Sequence, residues 1–439
     1  MTRMKSALTK SSADTEPWDL VVIGGGPAGM MAAGRAAEKT RSEGRPSRRI
    51  LLLEKNPSLG TKLLITGGGR CNVTNNELDD RALLARFKDD GKFLFSAFSQ
   101  YSVAEALEFF HARGMPTKVE DEKRVFPISD SARSVWQVLL DYMRAGGVTV
   151  RTGAAVDGFV RGTDGRIESV KLKGGKDGAA GETIHATHFI LATGGTSHPE
   201  TGSTGDGFRW LRELGHHVAE PSAALVPVTV ADAWIKALSG VSLPAAKIAL
   251  FQNGVKQAVS RGKVLFTHFG LSGPAILNMS AELADLMKYG PVELSLDLMP
   301  EHDYSTLNDA LQQLFAGAIN KKFKNVIGGL IPRAFVPIIL ERSGIDPDIA
   351  VNSVTRDARI GLMKLVKDIR IQPTGFLGAD RAIITAGGVA LEEVDFRTMR
   401  SRLIPNLSFA GDVLDIDRPS GGYSLQLCWT TGWVAGNSI

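Results

Sequence analysis

The sequence predicts an α/β protein built on a doubly wound sheet. Three observations lead to this prediction: a short apolar strand at Asp19–Ile23, a helix without breakers at Met30–Glu38, and a second apolar strand at Ile50–Leu53. A glycine-rich turn joins the first strand to the helix, so the three elements form one βαβ unit. Strands that are apolar along their whole length are typical of a parallel sheet buried on both faces.

Further elements complete this organisation. Helical spacing is found at 96–113 and 131–145, and strands are predicted at 160–173 and 183–192 around a glycine-rich turn. Short alternating segments between about 220 and 300 indicate a β-rich module, and a helical pattern follows it. The predicted parts are a disordered tail at 1–17, a sheet domain at 18–197 and 370–439, an inserted β-rich domain at 198–302, and a small helical domain at 303–369.

The composition restricts the class of protein. The chain has 439 residues, and 51 basic residues nearly balance 47 acidic residues, which leaves a net charge of +4. This balance argues against a nucleic-acid partner unless the charge is localised. Cys71 and Cys428 are too few for a disulfide framework or a closely spaced redox pair. Because the chain shows no secretory signal and no apolar run of membrane-spanning length, we expect a cytoplasmic protein.

The first glycine-rich turn carries a nucleotide-binding pattern. Gly24, Gly26 and Gly29 fit G-x-G-x-x-G between the predicted strand and helix. These glycines permit a tight turn, a close approach of a pyrophosphate to the backbone, and close packing of helix on strand. Glu54 ends the next strand, where a carboxylate can accept hydrogen bonds from ribose hydroxyls. The pattern favours a nucleotide with free ribose hydroxyls, such as NAD or FAD.

A second segment near the end of the chain distinguishes these two cofactors. Gly411-Asp412 follows a predicted strand, and Gly421-Gly422-Tyr423-Ser424 begins a predicted helix. This arrangement resembles glutathione-reductase-like flavoproteins, in which a late Gly-Asp reaches the ribityl chain and the next helix points its amides at the flavin pyrimidine. Gly194-Gly195 and Gly387-Gly388 lack the third glycine of a second dinucleotide motif. The sequence therefore favours FAD.

The segment Gly67–Asn75, with the sequence GGGRCNVTN, resembles the BaiN/YhiN-type flavoproteins, also called the aminoacetone-oxidase family of FAD-binding enzymes. Relatives in that family often carry Gly-Glu where this chain has Gly411-Asp412, a difference that keeps the acidic group. The resemblance extends from about residue 18 to 436. Its further matches are Gly202–Gly207, Arg124–Pro127, Thr267–Pro274, Thr385–Val389 and Gly411–Asp415.

The resemblance implies a glutathione-reductase-like, Rossmann-type FAD-binding domain in two segments, with an inserted β-barrel-like domain and a small helical domain. The ADP half of a non-covalent FAD would lie along Gly24–Gly29 and Glu54, and its ring between Arg70–Asn72 and Gly411–Tyr423. The residues expected to bind the cofactor are Gly24, Gly26, Pro27, Ala28, Gly29, Glu54, Lys55, Arg70, Cys71, Asn72, Ala155, Val156, Thr193, Gly194, Gly411, Asp412, Gly422 and Tyr423.

The catalytic groups are less well defined, and the candidates are His268, Cys71 and His198. A histidine suits proton transfer near neutral pH. For Cys71, a redox or covalent role and a packing role beside the flavin are both considered, and packing is favoured. We expect no metal site, because the adjacent His216 and His217 point apart in a helix or strand. No convincing triad accompanies Ser203 or Ser272, which disfavours hydrolysis.

The expected function is an FAD-dependent oxidoreductase that transfers hydride between a small organic substrate and flavin N5. Family members have been associated with reduction of enone-type steroid intermediates and with oxidation of amines. An NAD(P)H-dependent reductase is the leading hypothesis, and an amine oxidase that uses oxygen is the second. The rivals are an RNA-associated flavoprotein that uses Arg41–Arg49 and Lys321, Lys322 and Lys324, and a flavin-binding scaffold without turnover.

Overall fold

The computed structural model describes residues 16–44, 47–174, 181–220, 222–377 and 384–439. The predicted tail lies almost entirely outside these residues, as does Arg45 of the segment Arg41–Arg49. The described chain divides into two compact units. The first unit contains the residues up to 222 together with 384–439, and the second contains 223–377. None of the described helices is both long and apolar enough to cross a membrane.

The strands and helices are numbered in chain order. The strands are β1 (Trp18–Ile23), β2 (Ile50–Leu53), β3 (Thr74–Asn75), β4 (Thr117–Glu120), β5 (Arg124–Pro127), β6 (Thr149–Arg151), β7 (Val156–Arg161), β8 (Ile167–Leu172), β9 (Thr183–Leu191), β10 (Ser222–Ala224), β11 (Val228–Val230), β12 (Ser242–Gln252), β13 (Val255–Phe266), β14 (Gly270–Ser272), β15 (Val292–Asp297), β16 (Ile369–Ile371), β17 (Pro373–Phe376), β18 (Ile384–Ala386), β19 (Val394–Asp395), β20 (Arg400–Ser401) and β21 (Leu407–Phe409). The helices are α1 (Pro27–Ser42), α2 (Thr61–Ile65), α3 (Asp80–Leu84), α4 (Gly91–Phe98), α5 (Val103–His111), α6 (Ala132–Ala145), α7 (Asp206–Glu213), α8 (Ala233–Ala237), α9 (Pro274–Leu277), α10 (Ser280–Met287), α11 (Tyr304–Ala316), α12 (Phe323–Val326), α13 (Val336–Arg342), α14 (Arg356–Lys367) and α15 (Tyr423–Asn437).

A mixed sheet forms the centre of the first unit. Its main path runs β19-β20-β21-β9-β1-β2-β6, and β7 and β8 extend it from β9. Strand β1 is parallel to β2 and to β9, and β21 is parallel to β9. The carboxyl ends of these four strands therefore meet at one edge of the sheet, which is where ligands bind in open α/β sheets. This arrangement confirms the predicted Rossmann-type core.

Two long helices, α1 and α15, pack against each other with very small residues at the contact. A Cβ added at Gly432 would lie 2.5 Å from the carbonyl oxygen of Ala28, and one added at Gly436 would overlap Ala32. Gly432 faces Ala28 and Gly436 faces Ala32, so residue numbers rise in the same direction along both helices. Helices α1 and α15 are therefore parallel. Their amino termini therefore point in the same direction.

The second unit contains an antiparallel sheet of seven strands in the order β16-β15-β12-β13-β14-β11-β17. Its core includes Ile248, Leu250 and Phe266, together with the inner faces of α11, α13 and α14. The helical residues 303–367 share this single core with the sheet, because Leu307, Leu311 and other apolar residues of the helices pack into the same cluster.

The two units divide the chain differently from the predicted domain boundaries. Helix α7 falls within the predicted inserted domain at 198–302, but its residues Phe208, Trp210 and Leu211 pack in the core of the first unit. Strands β16 and β17 lie almost entirely in the segment 370–439 that was predicted to belong to the sheet domain. They pair instead with β15 and β11 of the second unit. The physical reason in both cases is the core into which the apolar side chains pack, which is not visible in local periodicity.

Candidate cofactor site

The glycine-rich turn after β1 has the geometry of an anion-binding turn. Gly24 has φ +107°, and a Cβ there would overlap the backbone of Ala192. A Cβ at Gly29 would overlap the carbonyl of Gly24, whereas a Cβ at Gly26 would meet no atom within 4 Å. Helix α1 begins directly after Gly26, with no side-chain cap and no acidic residue in its first turn. The first amides of α1 are thus available to a phosphate group.

Glu54 is held beside this turn by backbone amides. Its Oε2 accepts a hydrogen bond from the amide of Gly25 at 2.8 Å, and its Oε1 accepts one from the amide of Asn56 at 2.8 Å. The side chain is nearly buried. A carboxylate oxygen can accept more than one hydrogen bond, so both oxygens retain capacity for a hydroxyl donor.

A cavity of the first unit adjoins the turn and Glu54. Lys55 at its rim donates a hydrogen bond to Asp206 Oδ2 at 2.8 Å and contacts Thr204. Burial raises the pKa of Asp206, but the hydrogen bonds from Lys55 and Thr204 lower it by more. The pKa of this carboxyl group is therefore below its ordinary value. The cavity is lined by Ile23, Gly24, Leu53, Glu54, Lys55, Ala154, Val156, Thr193, Gly202, Thr204, Asp206 and Trp210.

This cavity gathers several predicted residues and adds others that the sequence analysis missed. Lys55, Val156 and Thr193 were predicted, whereas Thr204 and Asp206 come from the glycine-rich segment that was assigned only to the family resemblance. Predicted Ala155 and Gly194 are chain neighbours of lining residues. The hydroxyl of Thr193 is buried and has no hydrogen-bond partner within the described chain.

Arg70 forms an ion-pair cluster with the strands that follow it. Its guanidinium pairs with Asp130 and Glu120 and lies 4.1 Å from the ring centroid of Phe126. Lys118 pairs with the same two carboxylates. The hydrogen bonds that Arg70 donates to Glu120 and Asp130 raise the pKa of Arg70 above its ordinary value. The positive charge of Arg70 is thus balanced within the chain.

Cys71 and Asn72, the next two residues, differ in exposure and bonding. The Cys71 thiol is fully buried, and its backbone has φ +63°. Burial raises the pKa of Cys71 to about 12, although a hydrogen bond with Thr66 lowers it slightly. The side-chain oxygen Oδ1 of Asn72 is buried and has no hydrogen-bond partner within the described chain. These observations favour the packing role of Cys71 and leave the amide of Asn72 free for a ligand.

Thr74 and Asn75, which follow Arg70–Asn72 in the chain, lie in direct contact with the start of α15. A Cβ at Gly422 would overlap the carbonyl group of Thr74, so this approach requires glycine. Asn75 Nδ2 donates a hydrogen bond to the carbonyl oxygen of Gly421 at 3.2 Å, and Thr74 Oγ1 donates one to Gln426 Oε1 at 2.7 Å. The end of the GGGRCNVTN segment is therefore fixed to the start of α15.

Asp412 lies at the carboxyl end of β21, between two basic side chains. Arg418 pairs with its Oδ1, and Lys62 Nζ lies 3.7 Å from its Oδ2. Lys62 also donates a hydrogen bond to Ser197 Oγ at 2.5 Å. Sequence reasoning found Asp412 from the Gly-Asp motif but missed Lys62 and Arg418, because no spacing rule links them to it.

The parallel packing of α1 and α15 sets the distance between their amino termini. Ala28, the second residue of α1, lies level with Gly432, the tenth residue of α15. Helix α15 therefore begins eight residues earlier, which is about 12 Å at the helical rise. Tyr423 opens α15 and packs edge-to-face on Phe87, with ring centroids 5.9 Å apart. Two helix amino termini in tandem suit a ligand with two separated electron-rich ends.

Taken together, the chain's own groups fit a bound dinucleotide. Gly26 offers space and free amides for a pyrophosphate, and Glu54 offers acceptors beside it. The buried oxygens of Thr193 and Asn72 lack partners, which a polar ligand would supply. Among the described residues, no three His, Cys, Asp or Glu side chains are grouped so as to hold a metal ion.

Comparison with known proteins identifies the family. The family model described as "HI0933-like protein Rossmann domain" matches residues 18–438. The chain belongs to this family. The resemblance to BaiN/YhiN-type flavoproteins is thereby confirmed, and so is the prediction of an FAD-dependent oxidoreductase.

Two relatives of this HI0933-like chain align over nearly their whole length. The "Ribosomal RNA dihydrouridine synthase" of Escherichia coli is 30% identical over 97% of this chain and 98% of its own. The "3-dehydro-bile acid delta(4,6)-reductase" of Clostridium scindens is also 30% identical, over 95% of this chain and 98% of its own.

Solved flavoenzyme structures share the fold at low sequence identity. A flavocytochrome c3 fumarate reductase in its open conformation has a TM-score of 0.53 at 15% identity, covering 97% of this chain and 78% of its own. The 3-ketosteroid-Δ4-(5α)-dehydrogenase of Rhodococcus jostii has a TM-score of 0.52 at 14% identity, covering 98% and 99%. These similarities support the HI0933-like fold assignment alone.

Two predicted catalytic histidines lie in different units. His198 belongs to the first unit, has φ +55°, and bonds through Nδ1 to Glu200 Oε1 at 2.9 Å. His268 belongs to the second unit, in the turn between β13 and β14, where its ring lies 5.0 Å from that of Phe269. Ser197, the chain neighbour of His198, accepts a hydrogen bond from Lys62, and Lys62 also lies 3.7 Å from Asp412.

Proposed function

We propose that this protein is an FAD-dependent reductase that takes hydride from NADH or NADPH and delivers it to a C=C bond conjugated with a carbonyl group. The observation that carries the proposal is the pair of full-length relatives. Dihydrouridine is uridine reduced at C5–C6, a double bond conjugated with the C4 carbonyl. The bile-acid relative is named for reduction of ring double bonds in a 3-dehydro, that is 3-keto, substrate. One reaction class covers both names.

We assign the cofactor contacts from the geometry of the first unit. The Gly24–Gly29 turn and the amino terminus of α1 would bind the pyrophosphate, and Glu54 would accept hydrogen bonds from the ribose. Asp412 would accept a hydrogen bond from the ribityl chain. Asn72 and the amino terminus of α15 would contact the pyrimidine end of the ring, in keeping with the spacing of the two helices.

The chain's residues would then serve the reaction in distinct ways. When bound, the flavin supplies reversible hydride transfer at N5. The α15 amides would stabilise the negative charge that reduction places on the pyrimidine. We propose His198 as the proton donor, because Glu200 engages its Nδ1 and no hydrogen bond within the described residues engages its Nε2. The fully buried Cys71 thiol would take no part.

Anaerobic stopped-flow spectroscopy tests the proposal. The FAD-loaded protein is mixed with NADH or NADPH, and the flavin absorbance band is followed; rapid bleaching is expected with at least one donor. Reoxidation of the bleached flavin by a conjugated enone, but not by the saturated ketone, is expected next. If neither nicotinamide reduces the flavin and an amine does, the amine-oxidase hypothesis replaces this one.

A second candidate function, reduction of a uracil base within RNA, is favoured by the charges on the β12–β13 hairpin. Lys247 lies directly opposite Arg261 on the neighbouring strand, and like charges at such positions destabilise a sheet. Within the part of the chain that the structure describes, neither side chain has an ion-pair partner, and Lys256 and Lys263 on the same hairpin also have none. A bound polyanion would relieve this repulsion.

The basic segments predicted from the sequence contribute less to such a surface. Lys322 and Lys324 both pair with Asp348 at 2.8 Å, so the carboxylate offsets part of that cluster. Of the segment Arg41–Arg49, Arg41 lies in the last turn of α1 and donates a hydrogen bond to the carbonyl oxygen of Ala145. The hairpin cations, which the sequence analysis did not select, are the stronger candidates.

Binding of a uracil-rich ribosomal RNA fragment at several salt concentrations tests this second candidate. Replacing Lys247 and Arg261 by glutamine is expected to weaken RNA binding and to reduce the salt slope by about 1 for each residue. Lys288→Gln is the control, because Lys288 is exposed in the same unit but pairs with Asp285. Absence of RNA binding at low salt would refute the candidate and leave a small-molecule enone as the acceptor.

A further inference from the structure

The guanidinium of Arg418 is completely buried at the start of the last helix. Its Nε donates a hydrogen bond to Ser424 Oγ at 3.0 Å, its Nη1 donates one to the carbonyl oxygen of Ile416 at 2.7 Å, and its Nη2 pairs with Asp412 Oδ1. Every nitrogen of the guanidinium thus has a partner. The three partners come from the Gly-Asp motif, the following loop and the first turn of α15.

A buried guanidinium is costly unless a carboxylate neutralises it. Asp412 is the carboxylate that contacts Arg418, and its own side chain is only 13% exposed. Removal of either side chain would therefore leave the other without its charge partner in a buried place. The second oxygen of Asp412 faces Lys62 at 3.7 Å and keeps lone pairs available for another donor.

We propose that Arg418 is a positioning residue for the cofactor. It pairs with the Asp412 carboxylate and orients it for a ribityl hydroxyl, and through Ser424 it fixes the amino terminus of α15 against that carboxylate. This inference rests on the FAD site proposed above. Because the charges of Arg418 and Lys62 together exceed that of Asp412, the cluster carries a net positive charge beside the amino terminus of α15, which favours the reduced, more negative flavin.

A double-mutant cycle on FAD affinity tests the coupling. Arg418→Met keeps an unbranched side chain but removes the guanidinium and leaves Asp412 without this partner, and Asp412→Asn removes the charge on the other side. We expect each single variant to raise the FAD Kd at least tenfold. The double variant should bind FAD no more weakly than the weaker-binding single variant, because neither member of the buried pair then remains without the other. If the two increases in Kd multiply in the double variant, the two residues act independently and the proposal is overturned.

The reduction potential of bound FAD provides a readout that a purely structural role would not move in this pattern. With saturating FAD, Arg418→Met should lower the midpoint potential, since a positive charge is lost, and Asp412→Asn should raise it. Arg400→Met is the matched control, because Arg400 is a partly buried arginine of the same unit that bonds to the carbonyl of Ser438. It should leave both the Kd and the potential unchanged.

If Arg418→Met does not yield folded protein, Arg418→Lys serves instead. Lysine keeps the charge but loses the fork that contacts three partners at once. The potential should then stay close to that of the parent, while the FAD Kd rises. Failure of the parent chain to bind FAD would refute the proposed cofactor site itself. A parent that binds FAD and an Arg418→Met variant that binds it equally well would refute this inference alone.

Discussion

His216 is held in a chain of hydrogen bonds that resembles a hydrolytic triad. Its Nδ1 bonds to Glu393 Oε2 at 2.6 Å, and its Nε2 bonds to Ser401 Oγ at 3.0 Å. Ser401 Oγ also accepts hydrogen bonds from the amides of Leu403 and Ile404, and both the serine and the histidine are buried. The serine oxygen therefore caps a turn, and the arrangement is structural.

This histidine should make folding stability depend on pH. Burial lowers the pKa of His216, and the carboxylate of Glu393 offsets only part of that effect. The unfolded chain therefore binds a proton at a higher pH than the folded chain does. The stabilisation is complete above the ordinary histidine pKa of about 6.5 and is lost as the pH falls below it, by at most about 1.4 kcal/mol per pH unit.

Urea unfolding at pH 7, 6 and 5 measures this dependence against a variant. His216→Gln should be less stable at pH 7 and should lose less free energy of unfolding than the parent between pH 7 and 5. His185→Gln is the control, because His185 is exposed on β9. If parent and His216→Gln show parallel pH profiles, His216 does not titrate as described.

Cys71 gives a second prediction at this scale. Because its thiol is fully buried and its pKa is raised to about 12, we expect no covalent bond to the flavin. Acid precipitation should release all the FAD into the supernatant. Cys71→Ala should keep nicotinamide-dependent flavin reduction and lose about 1 kcal/mol of stability from the smaller side chain. Flavin that stays with the pellet from the parent but not from Cys71→Ala would contradict this.

At single residues, a local motif in the sequence specified Gly24, Gly29 and Glu54 from one βαβ unit. In the structure a Cβ at either glycine would overlap backbone, and Glu54 accepts a hydrogen bond from the amide of Gly25. Their binding of FAD stays a prediction. Arg418 and Lys62 could not be predicted in this way. The loop before α15 brings Arg418 to Asp412, and helix α2 brings Lys62 to the same carboxylate. Contacts of this kind depend on the whole fold.

At the scale of elements, the contact between α1 and α15 determines where the two helix termini lie. Gly432→Ala would place a methyl group 2.5 Å from the carbonyl oxygen of Ala28, so the helices would have to separate. We expect a loss of about 1–3 kcal/mol of stability and weaker FAD binding. Thermal unfolding with and without FAD measures both effects.

Gly361→Ala is the matched control for this substitution. Gly361 lies in α14, and a Cβ there would meet no atom within 4 Å. Alanine has the higher helix propensity, so this variant should gain about 0.5–1 kcal/mol. Equal effects of the two substitutions would show that helix propensity, rather than the contact with α1, explains the result.

Element boundaries were predicted less well than element types. Residues 96–113 have continuous helical spacing, but the chain forms α4 and α5, because Ser102 caps the second helix and bonds reciprocally with Glu105. The predicted strand at 160–173 instead contains the end of β7, the turn at 162–166 and the whole of β8, which form a hairpin. A serine cap and a short glycine turn are weak signals inside a strong periodic pattern.

At the scale of the whole molecule, the two cores decide which segments belong together. The sequence predicted one interrupted sheet domain and an insertion, and the structure has two units with separate apolar clusters. The exact boundaries could not be predicted, because α7, β16 and β17 carry ordinary amphipathic patterns. Only pairing with a particular sheet, or packing of Trp210 into a particular core, assigns them.

The same division leads to a prediction about cofactor binding. Every residue that we propose to hold FAD, from the Gly24 turn to Asp412 and the start of α15, lies in the first unit. Hydrogen exchange with and without FAD should therefore show the largest gain in protection at 24–30, 54–75, 192–206 and 410–424. The paired amides of β12 and β13 serve as an internal reference, since their hydrogen bonds belong to the other core. A larger gain in those two strands than in the four segments would refute the assignment, because a ligand stabilises most strongly the structure that it contacts.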